Sequence, residues 1–355
     1  MTKRVLVVGL VGYNFGDEAI AVSFCRNIKR YHNVQVKCVS LNRGALLKYG
    51  IDELYFVPRS FVSWLRLCFT MISSDYVFFG GGSLIQDKLG AGRYSGVLGY
   101  LNLTTMLASL LRVKIYSLPL GIDNVSRPNV PVVRSILSRF KELSVRDHLS
   151  YENALTYSQG DFLDLGVWPD LAYLIESSDK TVEFESYIVV SLAKENSVNS
   201  GDEIYSGVVE FIKKSIVDGL DVFLLAMDSR PDDELSLYYD IVRDVNSSKV
   251  KIFLSEDVFE ISALLKNASG LLAMRLHAMI LAIGFCDIFC LSRTTKTHAF
   301  CIENDIQYID IESDKPESCW FKNIRFNVLE NTSSYRKRRD QCKVKCISYF
   351  ESLPL

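Results

Sequence analysis

The sequence predicts an α/β protein of two doubly wound domains, each a parallel sheet covered by helices. Three observations carry that expectation. Short apolar runs rich in β-branched residues alternate with amphipathic segments at helical spacing along most of the chain. Several of the runs end in glycines or charged residues, at the carboxyl ends where such sheets hold their ligands. The 355 residues, 48% hydrophobic and 23% charged, suffice for two packed cores and exclude global disorder.

Residues 4–9 read as the first strand. They lead into Gly9-Leu-Val-Gly-Tyr-Asn-Phe-Gly16, and a helix begins near Asp17. The glycines let the backbone turn tightly beside a ligand. Their spacing is not GxGxxG, so no dinucleotide fingerprint is met. Asp17 and Glu18 suit the positive end of a helix dipole, which is a purely structural use. Residues 34–41 are the second strand, Phe61–Ile72 an amphipathic helix, and 75–79 a strand ending in Gly80-Gly-Gly-Ser83. A helix over 94–111, a strand over 114–118 and a helix over 130–140 follow. A strand over 142–147 ends on Arg146 and Asp147, where a local ion pair is the structural alternative to a binding role, and a short helix covers 148–156.

The polar, acidic, aperiodic stretch 177–185 reads as a linker. The alternation then resumes, with strands over 187–192, 221–226, 250–254 and 288–291, and helices over 203–216, 232–245 and 258–266. Within it the apolar run 271–274 meets Arg275 and His277 just where another helix begins, and Met279, Ile280 and Ile283 continue that helix's apolar face. The arginine offers a fixed cation for an oxyanion, and the histidine exchanges a proton near neutral pH. A helix N-terminus adds unpaired amides. Such a junction suits an anionic substrate and acid–base chemistry. A core histidine beside a surface arginine is the structural alternative. The expected division is 1–176, 186–334 and a basic amphipathic helix over 335–355. The two domains are expected to face one another across a cleft, a common place for small-molecule sites.

The net charge of −2 gives no reason to expect nucleic acid. The nine cysteines are odd in number and sit mostly in apolar patterns, which predicts a reducing compartment with thiols as core residues. Cys286/Cys290 and Cys342/Cys346 lack the companions of a zinc site, so no metal is expected. The basic, apolar start ends in Gly12-Tyr-Asn-Phe-Gly-Asp-Glu18 and reads as a buried strand rather than a signal peptide. No apolar stretch reaches bilayer length, and a soluble, cytoplasmic protein is expected. The C-terminal segment carries Tyr335-Arg-Lys-Arg-Arg339, Lys343 and Lys345 beside apolar Ile347, Tyr349 and Phe350. It reads either as a solvated basic face with its apolar side docked, or as peripheral contact with anionic lipid at the inner face of the membrane.

Six stretches, in order and spacing over about residues 5–305, resemble the polysaccharide pyruvyl transferase family. They are Gly12-Tyr-Asn-Phe-Gly-Asp17, Gly80-Gly-Gly-Ser83, Leu120-Gly-Ile122, Ser144-Val-Arg-Asp147 with Ser150 after it, Asp170-Leu-Ala-Tyr173 and Arg275-Leu-His277. The family often has proline where this chain has Leu171 and Thr295. The resemblance implies two Rossmann-like domains in a GT-B arrangement. It also implies transfer of a 1-carboxyethylidene group from phosphoenolpyruvate to two hydroxyls of a sugar in a cell-surface or exopolysaccharide, with release of phosphate and without a cofactor.

On this account His277 is the general acid that protonates the methylene carbon. Arg275, Arg146 and Lys296 hold the phosphate and carboxylate, with phosphoenolpyruvate on the side of the second domain. Asn14, Gly82 and Ser83 shape the acceptor side in the first domain, where Asp17 is a candidate base for a sugar hydroxyl. The acceptor sugar, lipid-linked or polymeric, stays open. Two rival readings fit the same sequence: a GT-B glycosyltransferase using a nucleotide sugar, and a non-catalytic scaffold of a polysaccharide assembly complex.

Overall fold

A computed structural model describes residues 2–87, 92–160, 164–176, 186–193, 202–230, 234–311 and 331–355, with Phe321, Ile324 and Phe326 between. The chain divides into two compact units. The first comprises Met1–Leu174 together with Cys342–Leu355, and the second Ile175–Gln341.

In the first unit, β1 (Lys3–Val11), β2 (Val34–Ser40), β3 (Asp52–Tyr55), β4 (Tyr76–Phe79) and β5 (Lys114–Ser117) form a parallel sheet in the order β3-β2-β1-β4-β5. The central strands are apolar on both faces because helices cover both: Val5, Leu6, Val7 and Val8 are all buried. The helices are α1 (Phe15–Tyr31), α2 (Phe61–Ile72), α3 (Gly96–Leu110), α4 (Val130–Leu137) and α5 (His148–Ser158). Two short strands, β6 (Leu143–Val145) and β7 (Leu165–Val167), pair in parallel. Ser117 ties β6 to the end of β5: its Oγ donates to the Ser144 carbonyl (3.0 Å) and accepts from the Ser144 amide (2.5 Å).

In the second unit, β8 (Tyr187–Ser191), β9 (Asp221–Leu225), β10 (Val250–Phe253), β11 (Gly270–Ala273), β12 (Asp287–Ser292) and β13 (Gln307–Asp310) form a parallel sheet in the order β10-β9-β8-β11-β12-β13. Its helices are α6 (Glu203–Val217), α7 (Glu234–Val245), α8 (Val258–Asn267), α9 (Leu276–Ala282) and α10 (Thr295–Asn304). Counted within its own unit, each sheet begins 3-2-1-4-5, the order of a doubly wound fold. The order reverses between β1 and β4 in one unit and between β8 and β11 in the other. Those two switch points are where such sheets bind ligands.

Three strands, β3, β7 and β13, escape the sequence pattern. β3 and β13 have four residues each at a sheet edge and β7 has three, and all are only partly buried, so their alternation is weak. The C-terminal helix α11 (Asn331–Ser352) also differs from the expected separate segment. Its Tyr335 is buried in the second unit, whereas its Cys346, Tyr349 and Phe350 are buried in the first. Phe350 packs on Phe24 and Tyr31 (5.8 and 5.9 Å between ring centroids), and the Tyr349 hydroxyl donates to the Ser117 carbonyl at 3.0 Å. The expected linker 177–185 and the first residues of the helix expected from 232 lie outside the described residues. No described helix is long and apolar enough to cross a membrane.

Candidate active site

At the switch point of the first unit, two loops leave β1 and β4 in close contact. The Gly80 amide donates to the Val8 carbonyl (3.1 Å), and a Cβ on Gly9 would lie 2.1 Å from the Gly80 carbonyl oxygen. Only glycine permits that approach. Asn14 is the N-cap of α1, its side chain accepting from the Gly16 amide at 2.8 Å. One turn on, the Asp17 carboxylate fills the space beside Gly82, where a Cβ would lie 2.1 Å from Oδ1. Gly82 has φ +74°, so no side chain suits it on either ground. Asn14, Asp17, Gly82 and Ser83 are thus brought together.

Arg146 joins the same loop, with a different occupation from the anion clamp expected. Its side chain is 2% exposed. Nη2 donates to Ser83 Oγ (2.9 Å), Nε to Asp147 Oδ2 (3.0 Å), and Nη1 faces Asp170 Oδ2 at 3.8 Å. Burial works against this cation, but Asp147, Asp170 and Asp123 outweigh it and raise its pKa further above the ordinary arginine value. With all three nitrogens engaged, Arg146 fixes the Ser83 loop rather than presenting itself to an anion. Asp147 also caps α5 through the Ser150 amide (2.7 Å).

Glu18, read from sequence as a helix-start acid, is 2% exposed. Burial pushes its carboxyl up to about 7, against the opposing effects of Lys48 and Tyr49. The Lys48 ammonium stands 3.5 Å from Oε2, and the Tyr49 hydroxyl donates to the same oxygen at 3.5 Å. A carboxyl titrating near neutrality therefore sits next in sequence to the candidate base Asp17.

At the switch point of the second unit, the Met274 amide extends the β11 ladder to the Ser191 carbonyl (2.8 Å). The chain then turns through Arg275 into α9. That helix has only seven residues, so the expected contribution of its N-terminus is small. What positions Arg275 is the buried carboxylate of Glu234, at the start of α7. Arg275 donates Nε to Glu234 Oε1 (2.6 Å) and Nη2 to the same oxygen, while Glu234 Oε2 accepts from the Met227 amide (2.7 Å). Arg275 is 22% exposed at its side chain, and its Nη1 makes no hydrogen bond to a described residue. Glu234 thus fixes the Nε–Nη2 edge of the guanidinium, an arrangement that leaves Nη1 for an oxyanion.

Burial raises the Glu234 pKa, with Arg275 and the Met227 amide opposing. Beside it Asp228 is buried too, which would raise its pKa, but the Arg230 side chain and amide hold it below the ordinary carboxylate value. His277, half-buried, lies in the first turn of α9. At the other end of that helix Arg339 donates Nη1 to the carbonyls of Ile280 (3.0 Å), Leu281 (3.3 Å) and Ile283 (3.2 Å). Lys296 is half-buried in the first turn of α10, which follows β12, the strand next to β11; Thr294 and Thr297 form the capping box there. Glu234 could not be singled out from sequence, because an acid opening a helix is ordinarily solvated.

A family model described as polysaccharide pyruvyl transferase matches residues 14–286. No curated protein matches the chain. Among solved structures, a putative UDP-N-acetylglucosamine 2-epimerase from Listeria monocytogenes superposes with a TM-score of 0.63 at 12% identity, over 99% of this chain and 98% of that one. The UDP-GlcNAc 2-epimerase from Methanocaldococcus jannaschii gives 0.62 at 13% identity, over 96% and 100%. Anabaena HepE in complex with UDP-glucose gives 0.58 at 9% identity, over 98% and 95%. At these identities the likeness shows the fold, two Rossmann-like domains of GT-B type. The match of the family model over most of the chain shows more: this protein belongs to the polysaccharide pyruvyl transferase family.

Proposed function

We propose that the protein moves a 1-carboxyethylidene group from phosphoenolpyruvate to two hydroxyls of a sugar and releases phosphate. The observation that carries this reading is the Arg275–His277 junction, a partly exposed cation held by buried Glu234 two residues before a half-buried histidine. Phosphoenolpyruvate is anionic at its phosphate and its carboxylate, so Arg275 Nη1 receives one of those oxygens and Lys296 a second. The His277 imidazolium gives its proton to the methylene carbon, whose C–H bond forms from the alkene electron pair. The oxocarbenium-like C2 that remains is attacked by one sugar hydroxyl. The C2–O bond to phosphate breaks, with its electron pair leaving on the phosphate, and the second hydroxyl closes the ring on C2. Of the two hydroxyl protons, one replaces the proton His277 gave up and the other departs on the phosphate.

On the acceptor side Asp17 is the base for a sugar hydroxyl, placed by Gly82, while Asn14 and Ser83 shape the loop. Arg146 and Glu234 are positioning residues. The test is incubation with phosphoenolpyruvate and a panel of lipid-linked or synthetic glycans, read by a mass gain of about 70 daltons. Full transfer by both His277→Ala and Arg275→Ala would sink the site assignment. The neighbours solved with UDP or UDP-glucose favour a nucleotide-sugar enzyme as the second reading. Thermal stabilisation by phosphoenolpyruvate and not by UDP-sugars separates the two.

A further inference from the structure

We infer that α2 is a docking face for a lipid bilayer carrying anionic headgroups. The helix displays Phe61 (74% exposed), Val62 (55%), Leu65 (41%), Phe69 (70%) and Ile72 (59%). At about 100° per residue, Phe61, Leu65, Phe69 and Ile72 fall within an arc of about 80°, and Val62 widens it to about 100°. Ser63, Leu67 and Met71, which bury α2 against the core, occupy the opposite side. The stripe therefore faces solvent squarely, and it is too continuous to be scattered surface apolarity. It stands on a fixed element. Ser60 caps the helix through the Ser63 amide (3.3 Å), the Trp64 indole donates to the Pro58 carbonyl (2.9 Å), and that ring packs edge-on against Phe56 at 5.0 Å between centroids.

Charge selects the occupant. Arg59 and Arg66 are exposed, and neither guanidinium makes a hydrogen bond or ion pair with a described residue. No Asp or Glu occurs from residue 54 to residue 74. A two-fold dimer would set this cationic face against itself. An anionic lipid surface satisfies both features at once, taking the apolar stripe into the acyl boundary and the arginines at the headgroups. The basic helix α11 is less suited. Its Tyr335, Tyr349 and Phe350 are buried, Arg339 is spent on carbonyls, and Arg338 pairs with Asp305 and donates to the Glu303 carbonyl (2.6 Å). The inference does not depend on which sugar chemistry the protein performs.

The full chain is sedimented with vesicles of phosphatidylcholine alone and of phosphatidylcholine mixed with phosphatidylglycerol. The native protein is expected to sediment with the mixed vesicles. The double substitution Leu65→Ser/Phe69→Ser should weaken partitioning at least about tenfold. Arg59→Gln/Arg66→Gln should weaken it about fivefold per arginine, on the anionic vesicles only. Lys337→Gln/Lys345→Gln, on α11, should leave it unchanged. All four positions on α2 and its entry are exposed, so thermal melts should match the native protein. Three results would overturn the inference: native protein that stays in the supernatant with both vesicles, partitioning that the apolar double variant retains, or a dimer in sedimentation velocity that the same variant dissolves without any vesicle binding.

Discussion

Two buried arginine–carboxylate systems do opposite work, and only their geometry tells them apart. Arg146 has every nitrogen occupied, whereas Arg275 keeps one edge open. Sequence placed both at strand ends and marked Asp170 in a motif of its own, but it could not pair Asp170 or Asp123 with Arg146, or Glu234 with Arg275, across distant parts of the chain. Replacing Arg146 with Met should therefore cost about 3 kcal/mol or more in a denaturant melt, because the carboxylates around it lose their cation. On the proposed function, Glu234→Gln should instead raise the KM for phosphoenolpyruvate by about tenfold with a smaller change in kcat, as expected when the proposed anion clamp is no longer aimed. In an Arg275→Gln background the same change should add nothing, which a structural role would not predict.

Glu18 carries a pH signature. Its folded pKa, about 7, exceeds the ordinary 4.5, so the folded state binds the proton more tightly. The stability this contributes is present in full below about pH 4.5 and lost as the pH rises through 7. Scanning calorimetry should show the native protein losing more stability between pH 5 and pH 8 than Glu18→Gln does.

Among the elements, those with buried apolar runs were legible, and α2 falls on its expected residues Phe61–Ile72. β3, β7 and β13 were not, because a partly buried strand of three or four residues leaves no alternation to read. The loops show the same limit. Three glycines after β4 announce close packing, but only the structure says that Gly82 makes room for Asp17. Gly81 supplies the control. It too has a positive φ (+105°), yet its missing side chain would meet nothing closer than the Asp17 carbonyl oxygen at 4.0 Å. Gly81→Ala should cost backbone strain of about 1 kcal/mol. Gly82→Ala adds displacement of the Asp17 carboxylate and, on the proposed function, should lower transfer well beyond Gly81→Ala when the two are compared at matched folded fractions.

At the scale of the whole molecule, residues 342–355 are part of the first unit although the second intervenes in sequence. They bring Tyr349 and Phe350 into its core, and burial of each such ring is worth about 2–3 kcal/mol. A chain ending at Gln341 should show a markedly lower first-unit melting temperature, with 1-anilinonaphthalene-8-sulfonate fluorescence reporting the bared Phe24 and Tyr31.

The same membership orders events during synthesis. The first sheet is complete once Ser117 has been made, but the rings that close its far side come from the last stretch of this sequence. Until residues 342–355 clear the ribosome, the nascent first unit displays an aromatic surface for as long as the second takes to translate. At about 5–20 residues per second that is a matter of many seconds, a window in which a holding chaperone has something to grip.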